Sequence, residues 1–141
     1  MLRIILHPGN SAQTIGTNGQ ESSKPVKRDN YAVMNLGTFL IHSIDWPSIP
    51  KEAFAGEEGY ATLQAFRVGD IRIRMVEYSP GYKADHWCKK GHVMLCMEGE
   101  LEIELEGGKS YLVRKNMTIV LGEGEMHRTY SVPGCRLFIV D

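Results

Sequence analysis

His92-Val93-Met94-Leu95-Cys96-Met97-Glu98-Gly99-Glu100-Leu101-Glu102-Ile103-Glu104-Leu105 is the stretch that decides the fold class. Successive side chains of an extended strand point to opposite faces, so alternation of apolar and polar residues marks a strand with one dry and one wet side. After Gly99 the alternation is strict, with Leu101, Ile103 and Leu105 on one face and three glutamates on the other. That is the pattern of an antiparallel strand half in water, and the glutamates read as a solvated face, with a cation site as the alternative. Before Gly99, His92, Met94, Cys96 and Glu98 share one face and Val93, Leu95 and Met97 the other, so this half is expected to be buried on both sides. A histidine inside such a strand needs a polar partner.

Outward from this stretch, short β-prone runs continue in both directions. The expected strands cover 38–44, 61–68, 71–78, 92–98, 100–105, 111–113, 117–121, 127–131 and 135–140. Gly69-Asp70, Ser79-Pro80-Gly81, Gly99, Gly107-Gly108, Gly122-Glu123-Gly124 and Pro133-Gly134 separate them as turns. No long 3.6-residue periodicity develops, and so many short strands imply an all-β chain closed into a sandwich or barrel. Residues 8–30 are mostly Gly, Ser, Thr, Asn, Gln and Lys, a composition that buries too little apolar surface to offset its ordering entropy. Residues 1–33 are therefore expected to be a disordered N-terminal tail or an upstream extension, with Met34 heading a single domain over 34–141.

The whole chain has 141 residues, 43% hydrophobic and 23% charged, a balance that excludes disorder throughout. Sixteen basic against seventeen acidic residues give a formal charge of −1, so no basic field exists to recruit nucleic acid or an acidic membrane surface. Four of the basic and two of the acidic residues fall in the tail, which leaves the expected domain mildly acidic. Cys88, Cys96 and Cys135 are an odd number without a secretory signal, which favours free thiols and a cytoplasmic location. No apolar run approaches the roughly 18 residues of a membrane span.

Chemistry concentrates in Asp85-His86-Trp87-Cys88-Lys89-Lys90-Gly91-His92, with a further imidazole at His127. In a strand, His86 and Cys88 would point the same way and Trp87 the opposite way. Imidazole nitrogen and thiolate sulfur both suit a borderline divalent metal, and His92 and His127 could complete a four-ligand shell. The alternative is a set of hydrogen-bonded core histidines with Cys88 as a small buried hydrophobe. Each residue alone favours that alternative, whereas the four together favour a metal.

The spacing Gly81, His86-x-Cys88, His92, Gly99 resembles the first motif of the cupin superfamily, and Gly122-x-Gly124-x-x-His127 resembles the second. Asp85-His86-Trp87-Cys88 together with Gly91-His92 is also similar to a group of small bacterial single-domain cupins with an Asp/His/Cys/Trp motif. The likeness runs from about Leu36 to Asp141 and implies an antiparallel jelly-roll barrel, in agreement with the strand pattern. It places His86 and Cys88 on the two first-motif histidines, His92 on the motif glutamate and His127 on the second-motif histidine. It also implies a homodimer. Exchange of a histidine for Cys88 and of the carboxylate for His92 moves the donor set away from oxygen, so zinc is favoured and iron comes second. If all four side chains bind, a tetrahedral ion has no free position; if Cys88 stays off, His86, His92 and His127 form a facial triad with open positions.

Around these residues, alternation sends Met94 and Cys96 inward after His92, and Thr129 and Ser131 inward after His127. The pocket is thus expected to be small and mainly apolar, with two hydroxyls near its mouth. Arg72 and Arg74 share one strand face and would hold a substrate carboxylate if that face lines the barrel, or serve as surface charges if it does not. Gln64 and Tyr78 are lesser pocket candidates, and Trp46 and Trp87 are expected to be structural. Three functions remain open on these grounds: a metal-dependent enzyme acting on a small anionic metabolite, a non-catalytic module that senses a metal or small ligand, and a metal-free β protein.

Overall fold

The structure, a computed structural model, describes residues 41–141; the expected tail lies outside the described residues. Its strands are β1 (Glu52–Ala55), β2 (Tyr60–Val68), β3 (Ile71–Tyr78), β4 (Tyr82–Lys83), β5 (His92–Leu105), β6 (Ser110–Arg114), β7 (Thr118–Leu121), β8 (His127–Ser131) and β9 (Cys135–Val140). A 3-10 turn, Trp46–Ser48, precedes them, with Pro47 in its first turn. Every pairing is antiparallel, in the order β1-β2-β3-β9-β5-β8-β4, with β6 and β7 also paired to β5. The described residues form an all-β, curled antiparallel half-barrel of the jelly-roll kind. Among the described residues no helix is long and apolar enough to cross a membrane.

β5 organises the barrel. Its first half, from His92 to Leu95, pairs with β7 and β9, while its second half, from Glu100 to Leu105, pairs with β6 and β8. One strand therefore belongs to both walls. The change of wall occurs at a register shift between Cys96 and Glu98, followed by Gly99 at φ 72°. A Cβ at Gly99 would overlap the carbonyl oxygen of Gly134, so only glycine lets the two segments cross here. The sequence pattern predicts two strands broken at Gly99, whereas a bulge bends one strand without ending it.

The other expectations divide in an instructive way. Ile41–Ile44, the described part of the expected 38–44 strand, has no strand pairing; its three remaining residues lie outside the described set. The chain there turns into the proline-bearing 3-10 segment, whose carbonyls at Trp46 and Ile49 accept hydrogen bonds from Gln64 Nε2 at 2.6 Å each. β1 and β4 were not legible, because β1 is exposed along its whole length and β4 has only two residues. The expectation that both faces of 92–98 are buried is corrected on one side: Val93 is 42% exposed and its cross-strand neighbour Val120 is 70% exposed. Nothing among the described residues packs over that pair.

The core fills the space between the walls. Leu101, Ile103, Leu137 and Cys96 are inaccessible to solvent or nearly so, and Val76, Met94, Val113, Leu121, Cys135 and Ile139 pack around them. Leu101 and Ile103 occupy the inward positions that alternation assigns them. The opposite face of the same half carries Glu100, Glu102 and Glu104, with Glu104 accepting a hydrogen bond from Arg128 Nε at 2.8 Å and Glu100 lying 3.6 Å from Arg114 Nε. This is an ion-paired, solvated face.

Candidate metal centre

Backbone pairing brings the first two chemical side chains together. Cys88 and His127 form an isolated antiparallel bridge and exchange both hydrogen bonds, Cys88 N–H to His127 O at 2.7 Å and His127 N–H to Cys88 O at 2.9 Å. Residues directly opposite in such a pair project to the same face, so the thiol and the imidazole emerge side by side. His92 arrives from the first half of β5, in the other wall, where its even position points inward. Its ring meets the His127 ring edge to face, with centroids 5.2 Å apart at 86°. Cys88 Sγ lies 3.3 Å from His92 Nε2, and one donor atom from each of Cys88, His92 and His127 falls within 4.8 Å of the others.

The local loops set the orientation of these donors. His127 Nδ1 lies 2.6 Å from the carbonyl oxygen of Glu125, which can only accept, so Nδ1 carries the hydrogen and Nε2 keeps its lone pair for another partner. The Gly122-Glu123-Gly124 turn makes this possible: Gly124, at φ 90°, donates its N–H to the carbonyl of Lys89 at 2.8 Å and ties the turn to the Cys88 segment. His92 and His127 are both buried, at 7% and 2% exposure. Burial, assisted by the Arg74 charge, lowers the His92 pKa to about 4, so this imidazole is neutral near pH 7 despite the neighbouring Asp141 carboxylate.

His86 does not join the cluster. It sits in a bend, its side chain is 72% exposed, and its Nδ1 pairs with Asp85 Oδ1 at 2.6 Å. The two-residue periodicity expected to align it with Cys88 requires a strand, and here the chain is a bend until the single bridge at Cys88. Trp87 is 36% exposed and lies under the Arg128 guanidinium at 4.8 Å, a cation–π contact at the rim rather than a core position.

The cluster opens into a cavity of about 640 Å³. Arg72, Arg74, Met94 and Thr129 line it, as does Tyr78. Ser131 does not: its hydroxyl is buried in the core and donates to the carbonyl of Glu100. Gln64 points the other way, to the carbonyls of Trp46 and Ile49. Thr129 Oγ1 donates to the Tyr78 hydroxyl at 3.3 Å, and the Tyr78 ring stacks on Tyr82 with centroids 4.0 Å apart. Burial raises the pKa of both phenols, so they remain donors.

Arg72 and Arg74 face the barrel interior, but their carboxylate partner is internal. Asp141, absent from the expected site, accepts from Arg72 Nε at 2.9 Å, Arg72 Nη2 at 2.7 Å and Arg74 Nη2 at 2.6 Å, and its Oδ2 lies 3.1 Å from His92 Nδ1. Burial works to raise the Asp141 pKa, but the Arg72 hydrogen bond and the two guanidinium charges outweigh it and hold it below its ordinary value. The Arg72 pKa is raised chiefly by that hydrogen bond, whereas burial lowers that of Arg74, whose Nε has no partner among the described residues. Two guanidinium groups thus share one side-chain carboxylate. The sequence signal was present, since Asp141 follows the alternating 135–140 strand on its inward phase, but the pairing with Arg72 across β3 and β9 is not local.

No family model matches the sequence, and comparison with curated proteins finds no match. Solved structures do resemble it. A predicted oxalate decarboxylase from Thermotoga maritima superposes with TM-score 0.61 at 13% identity, covering 70% of this chain and 96% of that one. The EutQ protein of Clostridium difficile gives 0.58 at 14% identity over 70% and 83%. Ectoine synthase from P. lautus gives 0.50 at 22% identity over 57% and 62%, so the chain spans less than two thirds of that enzyme. The fold is that of the cupin-type proteins. In this barrel the cluster joins Cys88 and His127 from one wall with His92 from the other.

The donor set fits a transition metal. Two imidazoles and one thiol suit zinc or a similar borderline ion. The donors lie within 4.8 Å of one another, against roughly 3.5 Å between ligand atoms on a tetrahedral ion, so they draw together to share one.

Proposed function

We propose that the protein is a metal-dependent enzyme acting on a small anionic metabolite, with a divalent metal, zinc before iron, held by Cys88, His92 and His127. The convergence of these three donors at the wall of the cavity carries the reading. A bound metal would supply Lewis-acid polarisation of a substrate oxygen. Three protein ligands leave a coordination position for substrate, unlike the closed four-ligand shell of a structural ion. His86, at the cavity mouth rather than in the cluster, is left outside the donor set.

The protein's own groups shape what binds. Arg74 and Arg72 supply the positive potential that favours an anion, the Tyr78 hydroxyl and Thr129 offer polar contacts, and Met94 contributes apolar wall. Neutral His92 keeps a lone pair for the metal at physiological pH instead of a competing proton. Three free cysteines support a reducing, cytoplasmic setting. The exposed Val93 and Val120 pair supports a homodimer.

The second reading is a sensing module without turnover, favoured by the fact that Arg72 is occupied bidentately by Asp141 and so is not free to grip a substrate. The test is metal analysis of protein purified without added metal, followed by cobalt substitution. We expect close to one equivalent of metal and a thiolate-to-cobalt absorption band that changes when small carboxylates are added. Less than about a tenth of an equivalent overturns the metal reading; a cobalt spectrum indifferent to every added anion selects the sensing module.

A further inference from the structure

Asp141 makes polar contacts to residues on two different strands. Arg72 grips both carboxylate oxygens and Arg74 adds a bond to Oδ2, so three charge-assisted hydrogen bonds fix the position and rotation of the group. The backbone holds it as well: Asp141 N–H donates to Arg72 O at 3.0 Å, and Arg72 N–H donates back at 2.6 Å. The Asp141 side chain is only 4% exposed. Oδ2 of this immobilised carboxylate faces His92 Nδ1 at 3.1 Å, although the contact is bent and Nδ1 makes no aligned hydrogen bond.

A neutral imidazole has two forms. With hydrogen on Nε2, the Nδ1 lone pair would confront a carboxylate oxygen, acceptor against acceptor. With hydrogen on Nδ1, the ring presents a donor to Asp141 and a bare Nε2 to Cys88 Sγ at 3.3 Å, whose thiol can donate to it. Only the second form avoids setting a lone pair against the carboxylate while leaving the thiol an acceptor. It also matches His127, whose Nδ1 hydrogen is directed to Glu125 O and whose Nε2 is likewise left bare.

We propose that Asp141, held by Arg72 and Arg74, is a positioning residue that sets the His92 tautomer and ring orientation for metal binding. The inference rests on the metal reading above. It makes the two arginines part of the metal centre's support, so their first task is to aim a ligand rather than to take a substrate carboxylate. An outer carboxylate of this kind contributes about 10- to 100-fold to metal affinity.

The full-length, metal-free protein gives the first test. Long-range nitrogen–proton correlations of the histidine rings are expected to show His92 as the Nδ1–H form; an Nε2–H form overturns the proposal without the need for any variant. The second test is Co2+ affinity, measured by competition with a chromophoric chelator. Asp141→Asn is expected to weaken Co2+ binding about 10- to 100-fold and to shift the thiolate band. In a His92→Ala background the same substitution is expected to add less than about twofold, because its route of action is gone. Binding within about twofold of wild type, or a full additional loss in the His92→Ala background, overturns the inference. Failure of the unsubstituted protein to bind Co2+ overturns the metal reading instead, while the tautomer measurement still judges the Asp141–His92 link.

Discussion

The two halves of β5 share one strand and one alternating pattern, yet they do different work. Beyond Gly99 the inward positions are Leu101 and Ile103, closed off from solvent, and the outward Glu100 and Glu104 pair with arginines in water. Before Gly99 the inward positions are His92, Met94 and Cys96, and His92 meets a carboxylate on one side and a thiol on the other. Alternation tells which side is inside in both halves. Whether the inside is core or chemical site depends on whether a buried polar group there finds partners from other strands.

The contrast can be broken by experiment. Ile103→Ala in the second half should have the largest effect on stability, about 2–5 kcal/mol from lost burial and a residual cavity, measured by denaturant unfolding, with Co2+ affinity of the folded protein unchanged. A parallel loss of metal affinity would show that the halves are not separable. Cys88→Ala, which leaves the first half of β5 intact, should weaken Co2+ binding more than about 100-fold, beyond the range of an outer-shell group, and abolish the thiolate band. Its unfolding midpoint without metal should move little.

Acidification sharpens the same contrast. The His92 pKa is near 4 in the folded protein, against an ordinary value near 6.5. Between those values the unfolded chain binds a proton that the folded chain refuses, so stability of the metal-free protein falls as pH drops from about 6.5 to about 4, and this contribution flattens below. His92→Gln should remove that slope in chemical unfolding measured across the window, and an unchanged slope would count against a depressed His92. The smallest effect is expected from Glu104→Ala on the solvated face: despite its contact with Arg128 at 2.8 Å, both side chains are more than a quarter exposed, and a change below about 1 kcal/mol is expected.

Residue by residue, legibility followed the range of the interaction. Leu101, Ile103, Met94 and Thr129 are buried on the inward face that alternation assigns them, because a strand's two-residue repeat needs nothing beyond neighbouring positions. Ser131 obeyed the same repeat but was spent on a core hydrogen bond to Glu100. His86 stands apart from the Cys88 cluster because its segment is a bend, and a repeat read through a bend carries no direction. Asp141 was missed because its value comes from three residues distant in the chain, Arg72, Arg74 and His92.

An all-β chain with turns at its glycines was therefore already written in local order, since backbone geometry couples adjacent side chains directly. The meeting of Cys88, His92 and His127, the departure of His86 and the capture of both arginines by Asp141 arise only when the two walls close. Closure sets distances between residues that the chain separates by tens of positions, and those distances determine which groups are desolvated, which are paired and which can share an ion.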